Sequence, residues 1–147
     1  MDVRQVFDDL VRFETELWNR LDARLRAECD VTLAALNVML VVSQTSPCRV
    51  NDIATALAIT VGGASQAVDR FAAQGIIARQ PNPEDRRSSV VVLTGTGRAA
   101  LERAQPVFDD ELHARLAAPV PPRTLDVIAT GLATLRTAIE QQPGRQA

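Results

Sequence analysis

The residues able to do chemistry in this sequence are mostly arginines. The run Pro81-Asn82-Pro83-Glu84-Asp85-Arg86-Arg87-Ser88 sets two adjacent guanidinium groups beside an acid, in a stretch rich in turn formers. A guanidinium is permanently charged and presents a planar fork of donors, which suits phosphate and base edges. A plain hairpin tip would more often be Asn-Gly or Asp-Gly. The seven residues 81–87, with two prolines, instead read as a stiff probe, able to carry arginine into a narrow A·T minor groove. Just upstream, Thr60 to Gln74 holds a second polar set. Ala64, Ala67, Val68 and Phe71 share one helical face, so Val61, Gly63, Ser65, Gln66, Asp69 and Arg70 point the other way. Gln66 can pair with adenine, and Ser65 can contact a base or a phosphate. Arg70, about one turn further on, suits a phosphate.

Other chemistry finds little support. The lone histidine, His113, has only Asp109 at i−4 on its own helix face. One imidazole and one carboxylate make a poor metal site, and neither Cys-x-x-Cys nor His-Glu-x-x-His occurs. Gly95-x-Gly97 lacks the further glycine of a nucleotide loop, and the acidic run 109–111 reads as a solvated face. Cys29 and Cys48 are far apart and read as inert, buried thiols; Arg49 is the only neighbouring cation. No metal, cofactor or enzymatic activity is expected.

Net charge argues against a nucleic-acid partner at first sight. The 147 residues carry −2 overall, and all 16 fixed cations are arginine. The distribution is uneven, however. Residues 1–30 hold five arginines against eight acids (−3), whereas residues 49–90 hold five against four (+1). The case for DNA therefore rests on where the arginines lie. No apolar run approaches the roughly 18 residues of a membrane span, and Met1 to Leu10 does not read as a signal peptide. The expected location is cytoplasmic, with no membrane partner.

Several elements must position these residues. Val3, Val6, Phe7, Leu10, Phe13, Leu17, Leu21 and Leu25 mark an amphipathic helix over roughly 2–28. Thr32 to Gln44 is almost wholly apolar and reads as a central helix, stopped by Ser46-Pro47. A short helix over 51–57, then one capped by Thr60 and ended by Gly75, makes a helix-turn-helix. Strands are expected at Ile76–Gln80 and Ser89–Leu93, flanking the charged loop as a wing. Thr94 caps a further helix running to Leu116, which Pro106 should kink or divide. A last helix from about Arg123 shows Leu125, Ile128, Leu132, Leu135 and Ile139 in steps of three and four, a narrow seam for a partner helix. The tail over 143–147 is expected to be disordered. The fold class is thus mainly α with a small β-hairpin wing: a winged helix-turn-helix flanked by long dimerisation helices.

Three blocks then stand in order: Val68-Asp69-Arg70-Phe71 with Gly75-Ile76-Ile77, Asp85-Arg86-Arg87, and Leu93-Thr94-Gly95-Thr96-Gly97. Together they resemble the MarR family of winged-helix regulators, whose pattern is V-D-R-L, G-L-V, D-R-R and L-T-x-x-G. Phe71 replaces a leucine, and Gly62-Gly63 stand where larger residues are common. The resemblance covers the whole chain. It implies one domain, with 1–30 and 95–142 forming dimerisation helices and 32–94 the DNA-binding lobe. It implies a homodimeric repressor on a palindromic operator in double-stranded DNA, contacted by Thr60, Val61, Gly63, Ser65, Gln66, Arg70, Asp85, Arg86, Arg87 and Ser88. One wing arginine would enter the minor groove while Asp85 braces an arginine by an ion pair. A small aromatic or phenolic effector is implied as well, with Phe13, Trp18 and Phe108 as candidate pocket residues. The alternative reading is a winged-helix protein–protein module, or a protein that sequesters small molecules without binding DNA.

Overall fold

Capping side chains, Asp2, Thr32, Thr60 and Thr94, open four of the helices in the computed structural model, which describes residues 1–141. The chain divides into two compact units, Met1–Asp109 and Asp110–Ala147. Helix α1 (Val3–Cys29) starts at Asp2, whose carboxylate accepts from the Arg4 N–H at 3.0 Å. It ends at Asp30 in a left-handed conformation (φ 54°). Only its C-terminal half, at Leu21, Leu25 and Cys29, is buried. Helix α2 (Leu33–Gln44) is capped by Thr32, which accepts from the Ala35 N–H at 3.0 Å. Leu36, Val38 and Met39 of α2 are almost fully buried, which makes it the central helix that its composition indicates.

A carboxylate ties these two helices together. Asp22 of α1 accepts from the Leu33 N–H at 2.9 Å and from Arg26 Nε at 2.6 Å. Burial alone would raise its pKa, but the bonds from Leu33 and Arg26 prevail and hold it below the ordinary value.

Helix α3 (Val50–Leu57) stops at Ala58, also left-handed (φ 52°), and α4 (Val61–Ala73) follows after three residues. Gly75 (φ 76°) turns the chain into the hairpin, as glycine readily does at positive φ. Strands β1 (Ile77–Pro81) and β2 (Ser89–Leu93) pair antiparallel, with Arg79 opposite Val91. Cys48 adds a single bridge on the far edge of β2, its carbonyl accepting from the Val91 N–H at 2.8 Å. The first strand begins one residue later than the sequence suggests. Ile76 still belongs to the turn, its N–H bonded to the Phe71 carbonyl and its own carbonyl accepting from Thr94.

Helix α5 (Gly95–Leu112) is not divided at Pro106, one of the two outcomes expected of that proline. Proline removes the bond to the carbonyl of Glu102, four residues back, and both residues are exposed, so water can satisfy that carbonyl. Regular α geometry is lost only at His113–Ala117, a single turn of π-helix, rather than continuing to Leu116. In the second unit α6 (Pro122–Gln141) opens with proline, whose missing N–H costs nothing there. No residue of α6 is buried; Ile128, Leu132, Leu135 and Ile139 are 42–75% exposed. The expected disordered tail, 143–147, lies outside the described residues. Among those described, no helix is long and apolar enough to cross a membrane.

Candidate nucleic-acid interface

The inward face of α4 is Ala64, Ala67, Val68 and Phe71, all buried. Its outward face exposes Val61, Gly62, Gln66, Asp69 and Arg70, with Gly63 and Ser65 partly covered. Thr60 Oγ accepts from the Gly63 N–H at 3.0 Å, closing the first turn. A Cβ at Gly63 would stand 3.1 Å from that hydroxyl, so the glycine leaves room for the cap. Nothing lies within 4 Å of a Cβ placed at Gly62. The first N–H groups of α4 lack intrahelical partners and carry the positive end of the helix dipole, a favourable setting for a phosphate.

At the wing tip, buried Asn82 organises the loop. Its Nδ2 donates to Ser88 Oγ at 3.0 Å, and its Oδ1 accepts from the Glu84 N–H at 3.0 Å. Asp85 Oδ1 accepts from the backbone N–H of Arg87 at 2.9 Å. The acid thus braces the loop through the backbone, not through the side-chain ion pair that the resemblance suggested. Among the described residues Arg86 and Arg87 have no carboxylate partner, and both are exposed. The tip is a hydrogen-bonded loop whose two arginines have no ion-pair partner among the described residues.

Sequence reasoning missed Arg79. From β1 its Nη2 reaches Asp69 Oδ1 at 2.9 Å and Ser65 Oγ at 3.2 Å, and its Nε reaches Asp69 Oδ1 at 3.2 Å. A weaker bond at 3.5 Å joins Nη1 to Ser89 Oγ. Arg79 therefore clamps the outward side of α4 to the wing. The only signal in the sequence was an acid on α4 and an arginine ten positions on, and a hairpin is needed to bring them together. Arg70 adopts another posture, its guanidinium stacked 4.8 Å from the Phe71 ring centroid.

Thr94 and Gly97 explain the L-T-x-x-G block. Thr94 Oγ donates to the Gly75 carbonyl at 2.6 Å and accepts from the Gly97 N–H at 3.0 Å. A Cβ at Gly97 would overlap the Ile76 carbonyl. These residues fasten the start of α5 beneath the wing, so their role is structural.

The aromatic residues chosen as effector contacts are not brought to one place. Trp18 lines two cavities of about 350 and 360 Å³, which share Trp18, Ala34, Arg70 and Phe71. Phe13 and Phe108 line neither. Both cysteines are buried and unpaired. Burial, with the Asp52 carboxylate second, pushes the Cys48 thiol up to about 11. The Cys29 thiol donates to the Arg103 carbonyl at 3.5 Å. Among the described residues no cluster of three or more His, Cys, Asp or Glu could hold a metal.

Comparison with known proteins agrees with this architecture. The MarR family profile matches residues 30–88. An uncharacterised HTH-type transcriptional regulator of Bacillus cereus is 32% identical over 112 residues, spanning 71% of this chain and 74% of that protein. The multiple antibiotic resistance protein MarR of Escherichia coli is 26% identical over 121 residues, 82% of each chain. Among solved structures, the MarR family regulator Sco3205 of Streptomyces coelicolor, crystallised with DNA, superposes with a TM-score of 0.87 at 19% identity, covering 99% of this chain and 96% of that one. The transcriptional repressor CouR, bound to a 23-mer DNA duplex, gives 0.77 at 27% identity, covering 86% and 89%.

Proposed function

We propose, from the premise that this chain belongs to the MarR family of transcription regulators, that it represses transcription as a homodimer on a palindromic operator and is released by a small effector. The chain is a DNA-binding transcription regulator, and no catalytic role is assigned to it. One observation carries the mode of binding: the two exposed wing arginines, free of carboxylates, on a hydrogen-bonded tip next to the outward face of α4. Residues 32–94 act as the DNA-binding lobe, while 1–30 and 95–142 supply the dimer contacts. Exposed apolar side chains support the pairing. Val3, Phe7, Leu10 and Phe13 on α1, and Leu132 and Leu135 on α6, are 43–79% exposed in the single chain. A two-fold partner would cover such faces, and two lobes would then match two half-sites about one helical turn apart.

The cavities around Trp18 favour that region for the effector, in place of the trio Phe13, Trp18 and Phe108. Trp18 and Phe71 offer aromatic walls, and Arg70 offers a charge on the recognition helix itself. A phenolic or aromatic ligand there would act directly on α4. Binding to chromosomal DNA places the protein in the cytoplasm. The test is a mobility-shift assay on the DNA upstream of its own coding sequence, with a salt series. A salt-sensitive, sequence-preferring complex is expected. Failure to retain that DNA, or random DNA at low salt, would leave only the protein-module or sequestering reading.

A further inference from the structure

We propose that the recognition helix of this chain reads A·T base pairs in the major groove, through Gln66 and Val61, and has no free guanidinium or carboxylate with which to read G·C. The inference rests on the reading that α4 enters DNA and asks which bases it selects there. Base readout requires an uncommitted side chain on the outward face of α4, and most of that face is committed. Arg79 holds Ser65 Oγ and both engages and neutralises Asp69. Asp69 is the only carboxylate on α4, the group that would accept from the cytosine amino group. Thr60 Oγ is occupied by the helix cap. Gly62 and Gly63 have no side chains to offer. Arg70 is the only guanidinium on α4, the group that most commonly reads guanine. It is stacked on Phe71 and lines the cavities with Trp18.

Two side chains remain. Gln66 is exposed and, among the described residues, has no hydrogen-bond partner. Its amide matches the adjacent acceptor and donor of adenine. Val61 is 54% exposed at the first position of α4. A branched apolar side chain in the major groove gains from contact with the thymine methyl. The two are separated by five residues, about 7.5 Å along the helix axis, and therefore meet different base pairs. Both preferences point to the same class of sequence: a half-site whose α4 positions are A·T pairs.

The test is selection of the full-length protein on randomised duplexes, followed by binding to the selected site with deoxyuridine in place of thymine. The selected half-sites are expected to be A·T at the positions under α4. Removing the thymine methyl should weaken the parent and leave Val61→Ala indifferent. Gln66→Ala should lose about 5- to 150-fold in preference for the selected site, whereas Arg70→Ala should weaken binding to all duplexes alike without shifting the selected bases. Arg79→Ala frees Asp69 and should admit cytosine at one position. Selected sites with G·C under α4, a base preference that collapses in Arg70→Ala, or binding with no preference would overturn the inference while leaving DNA binding intact. Absence of any retained duplex would instead remove the DNA-binding reading, and this inference with it.

Discussion

Replacing Arg86 and Arg87 together with alanine separates the wing's contribution from that of the recognition helix. Neither side chain has a carboxylate partner among the described residues, and both are exposed. The loop is held instead by Asn82, Asp85 and Ser88, which the change leaves in place. Stability should therefore move by no more than about 0.5 kcal/mol, the usual range for a surface position. Affinity should respond strongly, because an unpaired arginine that reaches the DNA releases condensed counterions. Each such contact contributes about 0.9 to the slope of log affinity against log salt, so four arginines on two wings contribute up to about 3.6. Between 50 and 200 mM salt that slope corresponds to a factor of about 150 in affinity, which the variant would no longer lose. The assay is a fluorescence-anisotropy titration on operator and random duplexes across that range, with thermal unfolding as a control. Weakened binding to both duplexes with a shallower slope is expected. An unchanged slope with a fully folded variant would show that the wing does not touch DNA.

Three further outcomes follow from other parts of the molecule. Leu132→Glu with Leu135→Glu, at exposed seam positions of α6, should give a folded monomer by sedimentation and abolish operator binding; a stable monomer of the parent would refute the dimer. Cys29→Ser and Cys48→Ser should leave operator affinity and its response to peroxide unchanged, since Cys48, raised to about 11, remains a protonated thiol at neutral pH; peroxide-driven release that vanishes in either variant would contradict this. Asp22→Ala should cost about 1 kcal/mol at neutral pH by leaving the Leu33 N–H at the start of α2 without its carboxylate acceptor. Because folding lowers the Asp22 pKa, its stabilisation is present above the unfolded value near 3.8 and lost as pH falls through the folded one, so parent and variant should converge in acid urea melts; a gap that stays constant to pH 2 would exclude the ionised form as the cause.

Local chemistry made much of the fold legible in the sequence. The caps Thr60 and Thr94 act within three residues of themselves, and Gly75 at positive φ is a single-residue event. Apolar periodicity marked the buried face of α4 residue by residue, because a helix repeats over a fixed span whatever it packs against. The loop of prolines and arginines identified the wing for the same reason. Tertiary structure decided what depends on residues far apart along the chain. It brought Arg79 onto Ser65 and Asp69, and so set which side chains of α4 remain free. It led Asp22 to the start of α2, and Trp18 to Arg70 and Phe71 instead of Phe13 and Phe108. It also left Pro106 inside a continuous helix, because the carbonyl that the proline orphans is on the solvent side. Caps and turns are fixed by the dihedral angles and hydrogen bonds of a few neighbouring residues, which the sequence states directly. A charge's partner and a helix's tolerance for a defect are fixed by packing and solvent exposure, which exist only once the chain has folded back on itself.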